Sequence, residues 1–198
     1  MVDPYLYPGT NTLINKFQIQ DAKKLQDLEA AFYRLRVAEL PLGNFDYDHL
    51  KLIHQHLFGD IYDWAGKERT INIIKGYSHF ARKEFISLGL NNIFSKLHSD
   101  NFLKDLNHSD FCQELAYYFN EINAAHPFRE GNGRSLRSFC TILSESAGFS
   151  LDWTKIPAAE YIQANIQGFN GDYKGMELVF SKAAASLNRD HTLKLIVV

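Results

Sequence analysis

Apolar residues recur at helical spacing along most of the chain. In Gln20–Leu40 the residues Leu25, Leu28, Phe32 and Leu35 share one stripe of an amphipathic helix, which Pro41 and Gly43 end. Asp46–Phe58 predicts a second helix, with Leu50, Ile53 and Leu57 turned inward. Glu84–His98 predicts a third, whose apolar face is Ile86, Leu88, Leu90, Ile93, Phe94 and Leu97. Ser109–Ala124 is a fourth, capped by Ser109 and carrying a core stripe of Phe111, Leu115, Tyr118, Phe119 and Ile122. Asn132–Gly148 is a fifth, with Leu136, Phe139, Cys140 and Leu143 on one face and Gly148 as its stop. Two further helices follow, from Ala158 to about Gly168 and from Tyr173 to Leu187.

One segment breaks the helical period. Thr70-Ile71-Asn72-Ile73-Ile74 is β-branched and strand-like, Lys75-Gly76-Tyr77-Ser78 reads as a turn, and His79-Phe80-Ala81 returns. A lone two-stranded hairpin is marginal in water, so it must pack on something or close over something. Tyr62–Gly66 reads as a short helical turn and stop. The predicted fold is all-α with one small β-hairpin over 70–81. No repeat or internal linker interrupts it, which predicts a single domain over 3–187 that opens with an N-terminal lead over 1–20. In the tail at 188–198, Leu193–Val198 reads as a strand or as the start of a further region.

Composition narrows the function. A chain of 198 residues with 45% hydrophobic content can bury one core, and a net charge of −2 leaves no basic footprint for nucleic acid. No apolar run approaches membrane-spanning length, and Met1-Val2-Asp3-Pro4-Tyr5 has neither the basic stretch nor the apolar core of a secretory leader. No direct nucleic-acid or membrane partner is therefore expected. Cys112 and Cys140 lie in helical apolar patterns and read as buried thiols of a cytosolic protein. His49, His54 and His56 lack the i, i+4 spacing of a helical metal pair.

The chemistry concentrates in His126-Pro127-Phe128-Arg129-Glu130-Gly131-Asn132-Gly133-Arg134-Ser135-Leu136-Arg137. Gly131 and Gly133 allow a backbone turn with positive φ and a close ligand approach. They deliver the chain into a helix N-terminus, where free N–H groups and the dipole favour an anion. Asn132 can cap that helix or donate to a ligand. Arg134 and Arg137, three apart, share one face, and their guanidinium forks suit phosphate oxygens. Glu130 would repel phosphate unless Mg²⁺ lay between them, since Mg²⁺ takes one or two carboxylates plus phosphate oxygens. His126, at the rim, has the pKa range of a general base. By itself a Gly-Asn-Gly turn is usually only a turn. Neither a His-Glu-x-x-His pair nor a P-loop is present, so the co-occurrence of these residues carries the functional reading.

At every defining position the run resembles the Fic motif, His-x-Phe-x-Asp/Glu-Gly-Asn-Gly-Arg-x-x-Arg. Asp3–Thr10 resembles the N-terminal lead of bacterial Fic proteins, and Ile61–Gly66 followed by Arg69 resembles the segment before their flap. The resemblance implies a Fic/Fido-type helical bundle that transfers AMP from ATP to a Tyr, Ser or Thr hydroxyl of a target protein. It makes His126 the base and Glu130 the Mg²⁺ ligand. Arg129, Gly131, Asn132, Gly133, Arg134 and Arg137 become the nucleotide and phosphate set, with Arg137 on the γ-phosphate. The hairpin becomes the flap on which a target segment docks, through Ile71, Asn72, Ile73, Ile74, Lys75 and Phe80. The related Doc proteins carry Lys at the position of Gly133 and act as kinases, so Gly133 implies AMP transfer; a different phosphate-containing donor is the alternative. Such proteins are often restrained by a helix bearing Ser/Thr-x-x-x-Glu-Gly/Asn. Here the nearest approach, Thr141–Glu145, is followed by Ser146 within the motif's own helix. The expectation is a toxin-like enzyme of the bacterial cytoplasm, held inactive by a separate small antitoxin that places a Glu against Arg137. Type II topoisomerases or, for an effector delivered into a host cell, small GTPases are the target classes that the resemblance implies.

Overall fold

A computed structural model describes residues 3–75 and 78–187, with the side chains of Lys75, Ser78 and His79 outside the description. The expected turn at Gly76-Tyr77, the tail strand and docking by the Lys75 side chain lie outside the described residues. Seven α-helices and two small antiparallel pairings make up the described chain. By internal packing it divides into two units: residues 3–95 with 122–139, and residues 96–121 with 140–187.

The first unit opens with the lead. Asn15 organises it: its amide donates to the carbonyls of Leu13 and Ile19 and accepts from the N–H groups of Phe17 and Ile19. Helix α1 (Ala22–Arg36) is shorter than predicted and starts at Asp21, whose side chain caps Lys24 N at 3.0 Å. Its buried residues are Leu25 and Glu29, while Leu35 is 71% exposed rather than inward. The apolar stripe therefore carries a carboxylate where the pattern predicts continuity. Helix α2 (Tyr47–Phe58) begins at its Asp46 cap, and Leu50, Ile53 and Leu57 are fully buried as predicted. The segment Tyr62–Gly66 is a turn rather than a helix.

The flap is a shorter ladder than predicted. Strand β1 (Ile74–Lys75) pairs with β2 (Ser78–His79), in register Ile74 with His79 and Lys75 with Ser78. Residues 70–73 lie outside the ladder, and two of their backbone groups are engaged elsewhere: Thr70 N donates to the Tyr5 hydroxyl and Ile71 O accepts from Arg69. Helix α3 (Ile86–Ser99) follows a 3-10 turn, and Leu88 stays exposed instead of joining the core face. Helix α4 (His108–Ala125) ends, and α5 (Asn132–Ala147) starts, on either side of the motif loop.

In the second unit, Asn107 rather than Ser109 caps α4, with its side-chain oxygen accepting Asp110 N at 3.1 Å. Strand β3 (Phe149–Leu151) pairs with β4 (Ala184–Ser186), a pairing that the pattern did not predict. Helix α6 spans Ala158–Phe169. Helix α7 (Lys174–Ala183) stops before the predicted Leu187 because residues 184–186 enter that pairing. Cys112 and Cys140 are buried free thiols, and burial pushes the Cys112 thiol up to about 11. Among the described residues no helix is long and apolar enough to cross a membrane.

Candidate active site

The motif loop begins where α4 ends. The last carbonyls of a helix have no partner within it and must find donors. Here those donors come from the base of the flap. Ala81 N donates to Ala124 O at 3.1 Å, and Arg69 N donates to Pro127 O at 2.8 Å. The Arg69 guanidinium covers the two carbonyls between: Nη2 to Ala125 O at 3.2 Å and Nε to His126 O at 2.8 Å. Its remaining bonds reach Ile71 O at 2.7 Å and Ala81 O at 2.5 Å, on the two legs of the flap. Arg69 is only 2% exposed, and burial lowers its pKa from the ordinary guanidinium value. A cation at a helix C-terminus also complements the dipole. The sequence reading named Arg69 only as the lead into the flap and missed this role.

That clamp holds His126 in an uncommon conformation. Its φ is +46°, in the left-handed region that costs a non-glycine residue about 1–3 kcal/mol. The imidazole is buried and stacks on Phe80, with centroids 3.8 Å apart and planes 22° from parallel. Phe80, expected as a docking residue, thus lies against the expected base.

The next residues fold the loop onto itself. Asn132 is buried, its Oδ1 accepting Phe128 N and its Nδ2 donating to Phe128 O, both at 2.8 Å. Its side chain ties the loop and does not cap α5. Phe128 is 1% exposed and stacks on His54 at 3.8 Å. His54 in turn accepts Gly66 N at Nδ1, which makes Nε2 the donor to Glu130 O at 2.9 Å. Burial drives the His54 pKa down to about 4, so the ring is neutral near pH 7.

The two glycines differ. Gly131 has φ +82°, and a Cβ there would lie 2.6 Å from the Phe58 ring. Gly133 lies in the first turn of α5 without positive φ, and a Cβ there meets nothing within 4 Å. Only Gly131 serves the turn, then, and Gly133 leaves open space at a helix N-terminus. Around that space, Arg134 lies 2.5 Å from Glu29 and 3.8 Å from Glu130 Oε1, with its guanidinium over the Phe58 ring at 4.6 Å. Glu130 Oε1 also accepts Gly131 N at 2.9 Å. Arg137 is half-buried one turn further along α5. Arg129 is engaged instead with Asp3, through Nε at 3.0 Å and Nη2 at 2.8 Å, which pins the N-terminal lead to the motif.

The expected docking residues separate as well. Ile73 is buried and Ile71 half-buried, while Ile74 is 59% exposed and Asn72 is exposed on the flap. Among the described residues no three His, Cys, Asp or Glu side chains form a metal site. A single half-exposed carboxylate at Glu130 fits an ion completed by phosphate oxygens and water, as Mg²⁺ is.

Two predictions follow from this geometry. Gly131→Ala should lower stability by roughly 2–4 kcal/mol in urea denaturation through strain and overlap with Phe58. Gly133→Ala should leave stability within about 1 kcal/mol, because Ala suits a helix, yet weaken nucleotide binding measured by calorimetry. The second concerns pH. The unfolded state takes up a proton at His54 near pH 6.5 and the folded state only near 4. The stability contribution is complete above pH 6.5 and is lost as pH falls towards 4, by roughly 3 kcal/mol. Urea midpoints across that window should show the loss, and His54→Gln should flatten it.

Residues 44–144 match the model of the Fic/DOC family. The chain is 41% identical to protein adenylyltransferase VbhT of Bartonella schoenbuchensis over 174 residues, covering 86% of this chain but only 36% of that protein. It is 37% identical to probable protein adenylyltransferase Fic of Salmonella typhimurium, covering 91% of this chain and 92% of that one. Among solved structures it resembles BepC of Bartonella tribocorum with bound AMPPNP, at a TM-score of 0.87 and 30% identity over 93% of this chain and 97% of that one. With His126–Arg137 running from the end of α4 into the first turns of α5, the chain belongs to the Fic/DOC family and is, in class, a protein adenylyltransferase.

Proposed function

We propose that the protein transfers AMP from ATP to a Tyr, Ser or Thr hydroxyl of a target protein. The observation that carries this reading is the open space before Gly133 at the α5 N-terminus, beside Arg134 and Arg137 and close in sequence to His126. An anion there meets backbone N–H groups and two guanidinium groups. Nucleotides in related structures support the choice of ligand: AMPPNP in BepC, and ADP in a Fic domain from Bartonella quintana at a TM-score of 0.88 and 28% identity.

His126 takes the proton from the incoming hydroxyl, and its stacking on Phe80 holds the ring in place for this. The hydroxyl oxygen attacks the α-phosphorus, and the bond to the β-phosphate bridge breaks, releasing pyrophosphate. The N–H groups of Asn132 and Gly133, with Arg134 and Arg137, stabilise the charge that develops, while Gly131, whose N–H is held by Glu130, forms the turn that presents them. Glu130 would hold Mg²⁺, which neutralises phosphate charge when bound. Exposed Ile74 lies on the flap, where an extended target segment can add by main-chain pairing. Arg129 contributes through the lead, given its pairing with Asp3.

The regulatory reading is a toxin-like enzyme of the bacterial cytoplasm, inhibited by a small antitoxin that sets a Glu against Arg137. Targets of the type II topoisomerase or small-GTPase kind fit a hydroxyl acceptor on a flap-bound segment, the latter if the protein acts inside a host cell.

Incubation with α-labelled and γ-labelled ATP and lysate tests the reaction. Label should transfer from the α position only, and His126→Ala should reduce it by at least about a hundredfold while retaining ATP binding. Transfer from the γ position would identify a kinase instead, and no transfer from either would point to another donor or to a nucleotide-gated binding module without transfer.

A further inference from the structure

The motif's first arginine is held by a residue outside the motif. Glu29 sits on α1, buried to 8% exposure. One of its oxygens lies 2.5 Å from Arg134 Nη2, and the other accepts the Tyr62 hydroxyl at 2.6 Å. Burial and the adjacent Glu29 raise the Tyr62 pKa, so this phenol stays a donor. The Arg134 guanidinium also lies 4.6 Å from the Phe58 ring and 5.9 Å from the Tyr33 ring. Arg134 is thereby oriented by three elements: α1 through Glu29 and Tyr33, α2 through Phe58, and the turn through Tyr62.

A buried carboxylate on a helix is costly unless it is paired and hydrogen-bonded. Both Glu29 oxygens meet that need, and the pairing uses one face of a guanidinium that has five N–H donors. Glu29 and, at 3.8 Å, Glu130 both approach Nη2, which leaves Nε and Nη1 as the donors for phosphate. Were Glu29 a competitor of phosphate, it would need freedom to leave Arg134. Its burial and its bond to Tyr62 oppose such movement.

We propose that Glu29 is a positioning residue for the phosphate site: it fixes the Arg134 guanidinium in the orientation that receives a nucleotide's polyphosphate. The proposal rests on the nucleotide reading above and adds a residue to it. Glu29 touches no reacting atom and acts through Arg134.

Calorimetric titration of AMPPNP and of AMP into the wild type, Glu29→Ala and Glu29→Gln tests the proposal. AMPPNP affinity should fall at least about tenfold in Glu29→Ala while AMP affinity changes less than about twofold. Glu29→Gln keeps the shape and a neutral acceptor, so it should fall between the two. A merely structural role would weaken both nucleotides together, and competition with phosphate would tighten AMPPNP; either result overturns the proposal, as would an unchanged ratio. If Glu29→Ala does not fold, the near-isosteric Gln variant decides by the same ratio. The readout is binding and requires no transfer. A wild type that binds AMPPNP but labels no target defeats the AMP-transfer reading while leaving this inference to stand or fall on the ratio.

Discussion

Four consecutive carbonyls, Ala124 to Pro127, come off the end of α4, and all four accept hydrogen bonds from Arg69 or Ala81. The same guanidinium holds Ile71 O and Ala81 O on the flap legs. A buried Arg without such acceptors would be untenable, and so would four buried carbonyls without donors. Each solves the other's problem, and the solution joins the flap base, the end of α4 and the start of the motif. The positive φ of His126 persists because the carbonyls around it are fixed. Downstream the pattern continues: Asn132 closes on Phe128, and His54 takes Glu130 O.

This order separates two kinds of residue within one motif. Phe128, Gly131 and Asn132 build the loop, through burial, positive φ and paired amide bonds. Gly133 leaves open space at the α5 N-terminus, and Arg134 and Arg137 follow it within the first turns of the same helix. His126 takes part in the clamp through its carbonyl, while its ring stacks on Phe80. The flap therefore approaches the expected base through a ring contact as well as through Arg69.

Much of this was legible in the chain. Helices α2 and α5 fall close to their predicted spans because Asp46 and Gly148 are local signals beside strong apolar periods. Leu35 and Leu88 were misplaced because period alone cannot say how wide a buried stripe is. The β3–β4 pairing joins residues far apart in sequence, and three-residue strands carry too little pattern to announce it. The motif was readable because its residues are contiguous. Glu29 and Arg69 were not, since their partners lie 105 and 57 positions away. A charge on an apolar stripe, as at Glu29 between Leu25 and Phe32, was the one signal available.

That one guanidinium couples the flap and the motif loop is most directly tested by hydrogen exchange on Arg69→Met. The account predicts that the amides of residue 69 and Ala81, which donate to Pro127 O and Ala124 O, lose protection by at least about tenfold, while amides in the α2 core at Leu50 and Ile53 keep theirs. Wild-type protection at Ala81 in that variant would contradict it.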